Sequence, residues 1–228
     1  LQRLTATTLE LATGGGVTVN NISAANSNTV TNLTIDAVGA ITFAAAKSTF
    51  NALNVESNVA VNANVDIETD VGALAIDADA ENATTGLLTV AAGVTLTSAA
   101  GITLDATTQG ITFTAAGTLN AVNGVTINDA VAATAGTLTI DADTDNDGTG
   151  TFTTIATGTI NSTGQTLDIT AGDVVIGGAV TAATLINITD SDGGGIGFGD
   201  TALGGFQLSG TELQLLTATT LELITAGN

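Results

Sequence analysis

The stretch DADTDNDG, residues 141–148, concentrates more potential chemistry than any other part of this chain. Asp141, Asp143, Asp145 and Asp147 alternate with other residues and close on Gly148. Hard carboxylate oxygens at this spacing, with a glycine that permits a sharp turn, suit a calcium ion. Thr154 stands where an EF-hand would place its bidentate glutamate, so a complete EF-hand is excluded. The expectation is a Ca²⁺-binding loop bulging from a corner of the fold, against the plainer reading of a solvated acidic loop. DADAEN (77–82) and TDSDGG (189–194) are poorer versions of the same pattern.

Other chemistries have little to stand on. General acid–base catalysis needs paired groups with separated proton affinities. This chain has no His and no Tyr, and only Arg3 and Lys47 as bases, so no enzymatic activity and no catalytic residue is expected. GGGIGFGD (193–200) lacks the lysine and helix of a phosphate-binding loop and is taken as a tightly packed corner. Twenty-two acidic residues against two basic ones give a net charge of −20, which disfavours nucleic acid and anionic membrane surfaces alike. No apolar run approaches the roughly 20 residues of a membrane helix. With no cysteine, disulfides and thiol chemistry are impossible. Asn-x-Ser/Thr sequences at Asn21, Asn32, Asn82, Asn161 and Asn187 follow largely from a composition rich in Asn and Thr.

The elements that must carry the acidic loop are legible from alternation. In GVTLTSAAGITLDATTQGITFTAAG (93–117), Val94, Leu96, Ile102, Leu104, Ile111 and Phe113 are separated by threonines, and glycines recur at 93, 101 and 110. Period-two patterning with β-branched residues marks strands with one buried face. Glycine spacings of eight and nine suit the straight sides of a solenoid coil. LTIDA returns at 33–37 and 138–142, LAIDADA stands at 74–80, and VTIND at 125–129. The inward set is expected to include Leu33, Ile35, Leu74, Ile76, Leu96, Ile102, Leu104, Leu138, Ile140, Leu167 and Ile169. No sustained helical window is found; in LSGTELQLLTATTLEL (208–223) a helix starting at Ser209 is weighed, and strand is preferred. Thr95/Thr97 and Thr112/Thr114, 17 residues apart, are candidates to stack as a flat threonine array of the ice-binding kind.

Repetition organises the whole. LQRLTATTLEL opens the chain and LQLLTATTLEL begins at Leu213; residues 1–16 and 213–228 share 12 identities in 16, an offset of 212 residues. The absence of proline fits strands that pair above and below along a parallel β-helix. The fold expected is all-β: one continuous parallel β-solenoid over 1–228, with about ten coils and about 50 Å of rod at the usual strand spacing. No cap is recognised at either terminus, and a start without Met, in mid-motif, suggests a processed or partial chain.

GIGFGDTALGGFQLSGTELQLLTATTLEL (195–223) resembles a module of very large secreted bacterial proteins of the filamentous-haemagglutinin-like type. There, a G-I-G-x-G segment (here Gly195, Ile196, Gly197, Gly199) precedes an L-S-x-x-E-L phrase (Leu208, Ser209, Glu212, Leu213). A T-L-x-I/L strand (Thr220, Leu221, Leu223) follows. The match spans about 30 residues. It implies a right-handed parallel β-helix, an extracellular or cell-surface location and a role in adhesion or matrix. The function expected is a structural repeat of a fibre, sheath or adhesin stalk. Its partner would be itself, head-to-tail in a filament or as tandem repeats of one long chain, with no nucleic acid and no membrane insertion. The alternatives are a glycan- or receptor-binding adhesin module and, lower, an ice-binding solenoid.

Overall fold

The computed structural model describes residues 4–82, 86–163, 165–199 and 205–226. Strands of two to eight residues wind around one axis and stack into three long sheets, beside a separate two-stranded pair of Gly197–Phe198 with Gln207–Leu208, every pairing parallel. Sheet 1 has eight strands, from Ala6–Thr13 to Asp173–Ile176; sheet 2 has nine, from Val17–Asn20 to Leu216–Thr217; sheet 3 has eight, from Ser48–Phe50 to Thr220–Thr225. The chain visits them in the order 1, 2, 3 on each turn. This is the all-β solenoid expected, with eight full turns and part of a ninth.

Alternation sets which side chains fill the interior. All eleven residues named above as inward are buried. In register, Leu33 stacks on Leu53 and Leu53 on Leu74, so like-sized apolar residues form continuous columns along the rod. Each fully buried Leu or Ile contributes about 1.5–3 kcal/mol of transfer free energy. Five of the six phenylalanines, Phe43, Phe50, Phe113, Phe152 and Phe206, are also interior, and only Phe198 is exposed. Room for Phe113 is made at Gly117, where a Cβ would lie 2.4 Å from the ring.

The corners are held by inward hydroxyls. Ser57 Oγ accepts from the N–H groups of Val59 and Ala60 and donates to the Gly39 carbonyl. Thr154 Oγ1 accepts from the N–H groups of Gly177 and Gly178. A turning backbone leaves donors that the sheet ladder cannot reach, and a buried Ser or Thr satisfies them.

Three expectations are corrected. The coils are less regular than the uniform step of roughly 20 residues that ten coils imply: Leu33 stacks on Leu53, but Leu96 on Leu119 and Leu74 on Ile102. Corner loops of different length absorb the variation, which is why there are fewer than ten coils. Thr95 and Thr97 therefore lie in sheet 3 and Thr112 in sheet 2, and the candidate threonine array between them does not form. Helices do occur: α1 (Ala24–Ser27), a 3₁₀ turn at Thr107–Gln109, and α2 (Gly210–Leu215). Ser209 caps α2 by accepting from Glu212 N–H while the Glu212 carboxylate accepts from Ser209 N–H, a reciprocal box that outweighs the strand pattern there. After α2 the chain does become strand, at Leu216–Thr217 and Thr220–Thr225.

Candidate metal centre

The acidic loop 141–150 joins sheet 3 to sheet 1, between Leu138–Asp141 and Thr151–Thr154. Its frame is built by Asp143, which is fully buried. One oxygen, Oδ2, accepts from Gly148 N–H (2.9 Å) and from the Ser191 hydroxyl, two coils farther on. The other, Oδ1, accepts from Gly150 N–H at 3.3 Å. Asp141 Oδ1 accepts from Asp143 N–H at 3.2 Å and so starts the turn. Asn146 takes a left-handed conformation, φ 56°. At Gly150 a Cβ would sit 1.9 Å from the Ala142 carbonyl oxygen, so only glycine lets the loop close.

Within that frame Asp143, Asp145 and Asp147 each bring one carboxylate oxygen within 4.8 Å of the others. Asp141 stands at the loop's base, outside this group of three. Asp145 and Asp147 are exposed at the loop's tip. Partial desolvation, then the charges of Asp147 and Asp143, raise the Asp145 carboxyl above its ordinary range. The hydroxyl and N–H of Thr149 hold Asp147 below it. Asp141 is raised, chiefly by burial and then by Asp143. Three hydrogen bonds already use most of the Asp143 lone pairs, so a cation here would draw mainly on Asp145 and Asp147, with waters completing a shell of six or more oxygens. Thr154 is buried in the following strand and serves the corner described above.

The poorer acidic stretches have other work. At 77–79, Asp77 Oδ1 accepts from the N–H of the buried Asp79 at 3.0 Å. Asp190 is buried at a sheet 3 corner, its Oδ2 accepting from Gly195 N–H at 2.7 Å. Asp192 Oδ1 accepts from Gly194 N–H.

Sequence reading missed a second acidic feature because its members are far apart in the chain. On the outer face of sheet 1, Asp36 stacks on Glu56, Glu56 on Asp77, and Asp77 on Asp105, at the strand spacing of about 4.8 Å. Asn128 donates to Asp105 Oδ2 and Asn54 to Glu56 Oε1, softening a row of like charges. Burial first, then the charges of Asp105, Glu56 and Asp79, raise Asp77. Asp129, beside Asp105, is raised chiefly by burial and then by that neighbour. Register alone, once coil length is known, would have revealed this column.

The outer face of sheet 2 carries a line of threonines, Thr18, Thr42, Thr89, Thr112 and Thr181, interrupted by Asn62, Ala132 and Asn161. Only one outward residue per strand belongs to this line, and the interruptions break its regularity. No helix among the described residues is long and apolar enough to cross a membrane.

Comparison with protein-family models, with curated proteins and with solved structures returned no match.

Proposed function

We propose that this chain is a structural segment of an extracellular or cell-surface fibre, sheath or adhesin stalk, non-enzymatic and assembled head to tail. The observation that carries this reading is the combination of an uninterrupted three-sided ladder with the same 16-residue phrase at its two ends. A rod of stacked coils transmits length and stiffness, and each coil rests only on its neighbours. Its outward positions are mostly Thr, Asn, Ala and Asp, with no cluster of exposed aromatics among the described residues. Aromatic anchors usually carry the energy of specific recognition, so a stalk is favoured over a glycan- or receptor-binding module. The resemblance of 195–223 to filamentous-haemagglutinin-like modules supports the surface location.

The acidic loop fits Ca²⁺ within this role, since a divalent ion would neutralise charge on a rod of net charge −20. Electron microscopy of the concentrated protein tests the main reading: rods that lengthen with concentration are expected. A strictly monomeric particle that binds one glycan tightly would replace it with the adhesin-module reading.

A further inference from the structure

Midway along the rod, the corner that turns the chain from sheet 3 into sheet 1 at 122–124 holds the only Asn-Gly pair of the sequence. It joins Gly117–Ala121 to Val125–Ile127 and stacks on the corner 99–101 of the coil before, where Ala100 and Gly101 hold the matching places. Asn123 N–H donates to the Ala100 carbonyl at 2.9 Å, and Ile102 N–H donates to the Gly124 carbonyl at 3.0 Å. The fold itself asks for glycine here. Gly124 has φ 110°, and a Cβ on it would lie 2.8 Å from the Thr151 carbonyl oxygen of the next coil.

Between those two tethers, the peptide link from Asn123 to Gly124 is unbonded on both sides. Among the described residues, neither the Asn123 carbonyl nor the Gly124 N–H takes part in a hydrogen bond. The Asn123 side-chain amide has no partner either, and the residue is exposed. Closing a five-membered ring between Gly124 N and Asn123 Cγ needs a side chain that can swing and an N–H that no acceptor holds. It also needs a following residue without a side chain to crowd the approach. All three conditions meet at this corner.

The two Asp-Gly pairs, which cyclise by the same route with loss of water, are held differently. At Asp147–Gly148, the Gly148 N–H is donated to Asp143 Oδ2 at 2.9 Å, and Asp147 Oδ1 accepts from the N–H and the hydroxyl of Thr149. At Asp192–Gly193, the Asp192 carboxylate accepts from Gly194 N–H at 2.7 Å. Hydrogen bonds thus pin the attacking nitrogen at the first pair and the side chain at both. Neither restraint acts on Asn123.

We infer that Asn123 is a site of spontaneous covalent modification, converted in the folded rod to aspartate and isoaspartate through a succinimide. The Gly124 nitrogen gives up its proton to solvent and bonds to Asn123 Cγ, and the side-chain nitrogen leaves as ammonia. One water then opens the ring. Attack at Cγ gives aspartate on the original backbone. Attack at the main-chain carbonyl carbon gives isoaspartate, whose backbone runs through Cγ and is longer by one carbon, about 1.5 Å. Water is consumed and ammonia released, with no change of oxidation state. Either product puts a new carboxylate at the corner on which loop 141–150 is stacked, where Thr144 N–H donates to the Ala121 carbonyl at 3.1 Å. The longer backbone also draws the Gly124 carbonyl away from Ile102 N–H, loosening that coil.

The test incubates the full 228-residue chain at mildly alkaline pH, folded and in urea. Peptides cut at acidic residues are mapped by mass spectrometry, and isoaspartate is read by enzymatic methyl transfer to its carboxylate. In the folded chain, conversion at Asn123 should run about tenfold or more faster than at Asn161, which is also exposed. Isoaspartate should be absent at Asp147 and Asp192 until urea releases their hydrogen bonds. Asn123→Gln should remove the signal with the melting temperature unchanged. The converted chain should melt below Asn123→Asp, which carries the charge without the extra backbone carbon; equal melting temperatures overturn the loosened coil. An Asn123 that converts no faster than Asn161 in the folded chain, or only in urea, overturns the site. Isoaspartate forming as fast at Asp147 as at Asn123 overturns the selection by hydrogen bonds.

Discussion

Two corners on different sides of the rod, at 77–82 with Gly86 and at 141–150, share the same frame residues. Both read Asp-Ala-Asp, then Asn five residues after the first Asp, then Gly at the tenth position. In both, the first Asp accepts from the N–H of the second, which is fully buried. Asn82 and Asn146 both take positive φ, 51° and 56°. A Cβ on Gly86 or Gly150 would lie 2.2 or 1.9 Å from the carbonyl oxygen of the intervening alanine. The frame therefore needs two aspartates, one asparagine and one glycine. What 141–150 adds is Asp147 and Gly148, and Asp145 where the other loop has Glu81. The first corner carries an acid at Glu81 but Ala83 where the second has Asp147, so Asp147 is the carboxylate that completes the group of three able to hold a cation.

The largest effects should fall on the shared frame. Asp143→Ala strands the Gly148 and Gly150 N–H groups and the Ser191 hydroxyl, and is expected to cost about 3 kcal/mol of unfolding free energy. Gly150→Ala and Gly86→Ala should each cost at least about 2 kcal/mol, because the nearest atoms are backbone. Denaturant melts check these values; a loss near zero for Asp143→Ala would show that the two loops do not share a frame.

The cation separates the loops. Calcium at about a hundred times its dissociation constant should add about 2.7 kcal/mol of stability, read as a rise in melting temperature that chelator reverses. Asp145→Ala should abolish the response, and Glu81→Ala should leave it intact. Equal melting temperatures in calcium and chelator would make 141–150 as purely architectural as its counterpart.

Acid should produce the smallest effect. Asp77 and Asp141, the first residues of the two loops, have folded-state pKa values raised above the unfolded value. The folded state therefore holds their protons more tightly, and their ionisation costs stability as pH rises through the folded pKa. Stability should increase as pH falls from neutral toward about 4 and level off below, where both states are protonated. Asp147 works the other way, its lowered pKa withdrawing stability as pH falls through it. Asp77→Asn and Asp141→Asn should flatten the rise; an unchanged pH profile would show that these carboxyls titrate alike in both states.

How much of this was legible in the sequence depends on the range of the interaction. Inward and outward residues follow from alternation, which is local, and Leu33, Ile76, Leu104 and Ile169 fall inside as expected. The acidic loop was visible because its four aspartates are consecutive in alternation. Coil length was not visible. It is set by corner loops as different as Ser57–Ala60 and Asp141–Thr151, and strand phrases such as LTIDA serve equally in sheet 1 at 33–37 and in sheet 3 at 138–142. Without coil length, the stacking of Asp36, Glu56, Asp77 and Asp105 could not be found. The repeated phrase shows the same limit: its leucines keep their inward parity at both ends, but its strand lies in sheet 1 at one end and sheet 3 at the other. Helix α2 did carry a signal, Ser209 with Glu212, but the alternation of Leu221 and Leu223 farther along was given more weight.

Because every strand pairs only with the coils before and after it, tension applied to the two chain ends would meet the sheet hydrogen bonds one coil at a time. The rod would then pay out in steps instead of rupturing as a block. Each step would release the residues of one coil, from the 19 between Leu167 and Ile186 to the 36 between Val180 and Leu216. Fully extended, these correspond to gains of about 60 to 120 Å. Such a rod would act as a shock absorber, giving up length while the coils still wound keep their register.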